Sequence, residues 1–116
     1  MIKPAEITRI KRYISQLQDC RKSYPFGRSL TVYSVKNEPF AYIDNSKSIM
    51  RLNLRADPEL AKLLRDRYEE VLPAQRLDPR KWNTVILSGQ LSVDEITALI
   101  DHSYTLAATD AMHNLS

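Results

Sequence analysis

Residues 72–104 read LPAQRLDPRKWNTVILSGQLSVDEITALIDHSY, and the fold is decided by how this stretch divides. A basic looped segment, Arg76 to Lys81, runs into Trp82, the only tryptophan. The apolar run that follows predicts a strand over Trp82–Leu87, because a short run rich in β-branched residues and bounded by turn residues suits a pleated, half-buried surface. Ser88-Gly89 turns the chain. Ser92 with Glu95 three residues on predicts a capping box, each side chain taking an orphan N–H of a helix start. Ile96, Leu99, Ile100 and Tyr104, then Leu106 or Ala107, recur at helical spacing and carry that helix onward. From about Asp110 the tail AMHNLS is expected to fray.

Upstream, Asp57-Pro58-Glu59 reads as another helix start. Asp57 is placed to cap, Pro58 to fill the first turn and Glu59 to favour the positive dipole end. Leu60, Leu63 and Leu64 supply its expected buried stripe, and it ends near Tyr68. Glu69-Glu70, at that helix end, read as solvated carboxylates. Val71 to Leu77 reads as extended, with Pro73 confining it to a sheet edge or a loop.

Three strands are predicted before Asp57: Leu30–Val35, Phe40–Ile43 and Ile49–Arg55. Lys36–Pro39 and Asp44–Lys47 form the turns between them. The third strand has clean parity, with Met50, Leu52 and Leu54 on one face and Arg51, Asn53 and Arg55 on the other. The N-terminal segment predicts an amphipathic helix from Pro4 to about Cys20, with Ile7, Ile10, Ile14 and Leu17 as its stripe. Tyr24-Pro25-Phe26-Gly27 breaks it. The expected fold is therefore α+β in two layers, α-βββ-α-β(β)-α, an antiparallel meander packed on one face by helices.

The bulk properties agree. The 116 residues are expected to form one domain over residues 1–116. No apolar run approaches the ~20 residues of a membrane span. The N-terminus lacks the unbroken apolar stretch of a secretory leader. A single cysteine, Cys20, fits a reducing cytoplasm and reads as a packed side chain. Net charge is +3 but unevenly spread. Residues 1–28 hold seven Lys/Arg against two Asp/Glu, whereas residues 83–116 hold four acids and no Lys or Arg. Such asymmetry suits an anionic partner.

The residues give little to catalysis. Two histidines, His102 and His113, do not make a metal set. Asp101-His102-Ser103 is not a triad, because adjacent helical residues do not face one another. Two glycines leave no phosphate-cradling loop. No enzyme activity, cofactor or metal is expected. The cations point elsewhere. Arg51 and Arg55 lie on the outward strand face, Lys36 and Lys47 on turns, and Arg76, Arg80 and Lys81 in the loop before Trp82. Cations on phosphates, with the aromatic ring beside a base, make a nucleic-acid site of weak, salt-sensitive affinity. A protein-interaction or chaperone-like role, through the sheet face or a homodimer, is the alternative.

DPELAKLLR (57–65), Pro73, WNTV (82–85) and LIDHSY (99–104) together resemble the MmcQ/YjbR-like family over about residues 30–106. Trp82, Asn83, Thr84, Asp101, His102, Ser103 and Tyr104 are the family-like residues. The resemblance implies a small bacterial α+β protein with an antiparallel sheet, similar in fold to type III secretion chaperones. It also implies a DNA-binding role, a label commonly attached to members. The family usually has histidine where this chain has Arg76 and Lys81, and Asn-Lys at Asp78-Pro79. The retained positive charge there favours anion contact over acid–base chemistry.

Overall fold

A computed structural model describes residues 2–114. The order is α1 (Pro4–Ser15), β1 (Cys20–Ser23), β2 (Leu30–Val35), β3 (Glu38–Asp44), β4 (Arg51–Arg55), α2 (Pro58–Arg67), β5 (Val71–Pro73), β6 (Trp82–Ile86) and α3 (Val93–Asn114). All the strand pairings are antiparallel, in the order β1-β2-β3-β4-β6-β5. No described helix is long and apolar enough to cross a membrane.

Ile10 and Ile14 of α1 and Ile96, Ile100 and Ala107 of α3 share one core with Tyr33, Ile43, Leu52 and Val85 of the sheet. Asn83 has the parity of Val85, and its amide donates to the Ala61 carbonyl of α2 at 3.1 Å. All three helices therefore cover one face, as the outward Arg51, Asn53 and Arg55 predicted, and the other face is open.

The β2–β3 connection is tighter than expected. Lys36 and Asn37 alone form it, with φ of 49° and 70°. Two positive φ angles are the type I′ geometry, whose twist matches that of the flanking strands. The register of β3 then skips Phe40, between Ala41 opposite Tyr33 and Pro39 opposite Ser34. This bulge turns two consecutive side chains, Phe40 and Ala41, into the core, both fully buried.

Several expectations are corrected. The first helix stops at Ser15, and Cys20 opens a strand. Leu17 keeps its place against the core from within a turn, so the apolar spacing overruns the helix end. Asp19 at φ 60° redirects the chain. β1 was hidden because its residues, Cys-Arg-Lys-Ser, lack the apolar alternation of a covered strand. In α2, Asp57 makes no side-chain cap, and Leu63 is 59% exposed while Ala61 is buried. The third helix does not fray at Asp110 but continues to Asn114, with Ala111 buried. The remaining tail residues of that expectation, Leu115 and Ser116, lie outside the described residues.

The C-terminal boundary of the open face is as expected. Pro73 closes β5 at the sheet edge. Gly89, at φ 107°, occupies the turn before α3, a conformation that strains any side chain-bearing residue. The box at α3 forms fully, with Ser92 N–H to Glu95 at 3.0 Å and Glu95 N–H to Ser92 Oγ at 3.1 Å. Hydrogen bonds from Ser92 to the carboxyl, the backbone one first, hold Glu95 below its ordinary range.

Candidate nucleic-acid interface

The open face is ordered by register. Tyr42, Asn53, Thr84 and Leu72 lie in one cross-strand row. Arg55 and Trp82 form the next row toward one end of the sheet, and Asp44, Arg51 and Ile86 the row toward the other. Thr84 hydroxyl donates to Asn53 Oδ1. Diagonally across that pair, the Tyr42 and Trp82 rings meet edge to face at 5.4 Å and 68°. The Arg55 guanidinium lies 5.9 Å from the Trp82 ring centre. Strand parity turns the Trp82 ring to the open face, where it is half-buried.

The seven candidate cations fall at two ends. Lys36, in the two-residue turn, Arg55, closing β4, and Arg76, Arg80 and Lys81, before β6, share the Trp82 end. Lys47 and Arg51 sit at the opposite end, with the β3–β4 turn. Lys36, Lys47, Arg76 and Lys81 are exposed. Two others are already occupied. Arg55 pairs with Asp110 and holds its carboxyl below the usual range, first through the hydrogen bond. Arg80 pairs with Asp78 at 3.2 Å, lowering that carboxyl by the same means. Arg51 Nε is buried and makes no hydrogen bond among the described residues. Near it, burial pushes the Asp44 carboxyl up, but hydrogen bonds from Ser46 and the charges of Lys47 and Arg51 leave it below its ordinary value.

The family-like residues mostly fasten the fold. Asp101 accepts from Tyr13 of α1 at 2.5 Å, and this bond raises the Tyr13 pKa. His102 Nε2 accepts the Asp57 N–H at 3.2 Å, which ties α3 to the start of α2. Ser103, fully buried, accepts the Arg55 N–H at 2.8 Å and donates to the Phe40 carbonyl at 2.5 Å. Tyr104 donates to the Gln18 carbonyl at 2.7 Å and meets Phe40 edge to face. Four consecutive residues thus reach α1, the start of α2, two strands and the α1–β1 turn. Asn83, 3% exposed, ties α2 to the sheet through Ala61 and accepts from Arg65 at 2.8 Å.

Two features had no signal that the sequence reading used. Glu70, expected in water, is buried and accepts from Ser88 Oγ, from Gln90 N–H at 3.2 Å and from Leu91 N–H at 2.6 Å. It takes the place of a side chain supplied by the loop itself and folds the turn into α3. The acid's neighbour Val71 marks a strand start, but nothing local shows that a distant loop closes over it. Tyr42 was left without a role. Its value as the partner of Trp82 depends on the β3–β4–β6 register. Cys20 is half-buried, and burial raises its thiol, consistent with a packed side chain.

Comparison with known proteins agrees with this architecture. A Deinococcus radiodurans protein with a DUF419 domain superposes with a TM-score of 0.80 at 25% identity, over 86% of this chain and 76% of its own. A Pseudomonas syringae protein superposes at 0.74 with 22% identity, over 91% of this chain and 99% of its own. In sequence, the uncharacterized protein YjbR of Escherichia coli K12 is 35% identical over 77 residues, 66% of this chain. That alignment spans 65% of the relative, just under two thirds of its length. The uncharacterized protein YbdF of Escherichia coli O157:H7 is 23% identical over 96 residues, 83% of this chain and 79% of its own. The YjbR family profile matches residues 15–106, and the chain belongs to the YjbR family.

Proposed function

We propose that this protein is a non-enzymatic nucleic-acid-binding module, DNA being the first candidate, that holds phosphates at the Trp82 end of its sheet. The observation that carries this reading is the placement of exposed Lys36, Arg76 and Lys81 at one sheet end with Trp82, on the side no helix covers. Phosphate contacts of this kind position a strand and release counterions, so affinity falls steeply with salt. Arg80 contributes less than Arg76 or Lys81, because Asp78 already takes its charge.

The test is fluorescence anisotropy of labelled duplex and single-stranded DNA at low and physiological salt. Saturable binding that weakens with salt is expected. The triple variant Arg76→Glu, Arg80→Glu, Lys81→Glu is expected to abolish it while remaining folded. Unchanged binding by that folded variant would remove the site.

A second reading is a protein-interaction or chaperone-like module working through the sheet face or a homodimer. The same open face favours it, since Leu72 is 39% exposed beside Thr84 and a short strand, β5, leaves its outer edge unpaired in the sheet. Light scattering across a concentration series is expected to show a dimer under this reading. A strict monomer that captures no protein counts against it.

A further inference from the structure

We infer that the open sheet face is a stacking platform for single-stranded nucleic acid, with Tyr42 and Trp82 as the base-contacting pair. This rests on the nucleic-acid reading above and narrows it to one strand rather than a duplex.

Three observations carry it. The aromatic pair lies on the uncovered face, across three adjacent strands, with the short polar Asn53 and Thr84 beside it and the Arg55 guanidinium against Trp82. Every base offers a π-face, so an aromatic pair on an open sheet accepts unpaired bases without regard to sequence. A paired duplex keeps those faces stacked inside the helix. Second, cations bracket the pair along the strand direction. Arg51 and Arg55 stand at the two ends of β4, about 13 Å apart at about 3.3 Å per residue, with Arg55 sharing its charge with Asp110. Lys81 precedes Trp82, and Lys47 lies in the turn before Arg51. Third, Arg51 is half-buried on this face, its Nε enclosed and without an acceptor among the described residues. A phosphate contact there is made by the terminal N–H groups of the guanidinium, not by the enclosed Nε. The relief of the face also argues against a duplex. The β2–β3 turn has only two residues and reaches just past Val35, which pairs with the first residue of β1, so it is too short to be a wing that enters a groove.

The single tryptophan gives a direct readout. The protein is titrated at low salt with a dT oligonucleotide of about 12 nucleotides, within the ~4–16 expected of such sites, and with a blunt duplex of equal length. The expected result is saturable quenching of Trp82 emission by the single strand and affinity at least about tenfold above that for the duplex. Tyr42→Leu keeps apolar bulk but removes the ring, and is expected to weaken single-strand binding about tenfold, a typical loss for one stacked base. Tyr42→Phe is expected to restore it. Circular dichroism checks that both variants are folded.

Equal affinity for both forms with Trp82 emission unchanged would overturn the platform and leave the phosphate reading standing. The same holds if Tyr42→Leu binds like the parent. No binding of either form at low salt would overturn both. A dimer that buries Trp82 and that the oligonucleotide does not displace would assign the face to a second copy and overturn the platform.

Discussion

On the helix side of the sheet, Ser103 accepts a hydrogen bond from the Arg55 N–H and donates one to the Phe40 carbonyl. On the open side, Arg51 of the same strand keeps a buried Nε with no acceptor among the described residues. The two positions stand four residues apart on β4, at its opposite ends. Around Ser103, neighbouring motif side chains also have defined partners on other elements. Around Arg51 and Trp82, cations and rings are half-buried and present only part of their surface to water. The difference separates residues that a fold needs from residues that a ligand would need. It also shows why a family motif is a poor guide to a binding site here, because most of WNT and DHSY is spent on fastening.

If that division is right, substitutions on the helix side lower stability and spare binding, and those on the open side do the reverse. The largest effect is expected at Glu70. Its carboxylate satisfies the backbone N–H groups of Gln90 and Leu91 and the Ser88 hydroxyl, with no cation beside it in those bonds. Glu70→Ala leaves buried donors unpaired and is expected to cost about 3 kcal/mol in urea unfolding. Glu70→Gln retains an acceptor and is expected to cost less. A loss under about 0.5 kcal/mol for Glu70→Ala would show that water replaces the carboxylate and that the loop is not held by it.

Ser103→Ala comes next, at about 1–3 kcal/mol, because one backbone donor and one carbonyl lose their partner inside the core. Oligonucleotide affinity of the folded variant is expected to be unchanged. A binding loss without a stability loss would blur the distinction between the two faces, since Ser103 acts on the open side only through the Arg55 backbone.

The acid limb of stability gives a smaller, distributed effect. Asp110 and Glu95 both have folded pKa values below their ordinary range, held there by Arg55 and by Ser92 respectively. A depressed carboxyl contributes stability that is present above its unfolded pKa, about 4, and is lost as pH falls through the folded value. Urea midpoints are therefore expected to decline as pH falls below about 4. Asp110→Asn is expected to flatten part of that decline. It also frees Arg55, so nucleic-acid affinity is expected to rise slightly in the same variant.

Most of the sheet was legible from parity. Met50, Leu52 and Leu54 against Arg51, Asn53 and Arg55 fixed which face of β4 was wet, and that alone located the open side. The capping box at Ser92 and the edge proline were legible because their chemistry is local. β1 was not, because an exposed edge strand of Cys-Arg-Lys-Ser carries no apolar alternation. Glu70 and Tyr42 were not, because what they do depends on partners 18 to 40 residues away. The cations were found one by one, but not their division between two sheet ends or the pairing of Arg55 and Arg80 with acids. Those depend on register and on the path of α3.

The smallest stability effect is expected at Arg51, and it is the sharpest test of the comparison. Its guanidinium contributes no hydrogen bond from Nε, and its charge acts on Asp44 across the pair between β3 and β4. Arg51→Met keeps the aliphatic packing and removes an unsatisfied buried donor, so unfolding free energy is expected to stay within about 0.5 kcal/mol or to rise. The Asp44 carboxyl loses one of the charges holding it down, so its pKa is expected to move up toward the ordinary value, observable by NMR titration. Single-strand binding is expected to weaken and its salt dependence to become shallower by about one phosphate contact, a slope change of about 0.7. If Arg51→Met instead costs more than about 1 kcal/mol and leaves binding intact, Arg51 belongs with Ser103 as a part of the scaffold. The open face would then lose the cation that marks its far end.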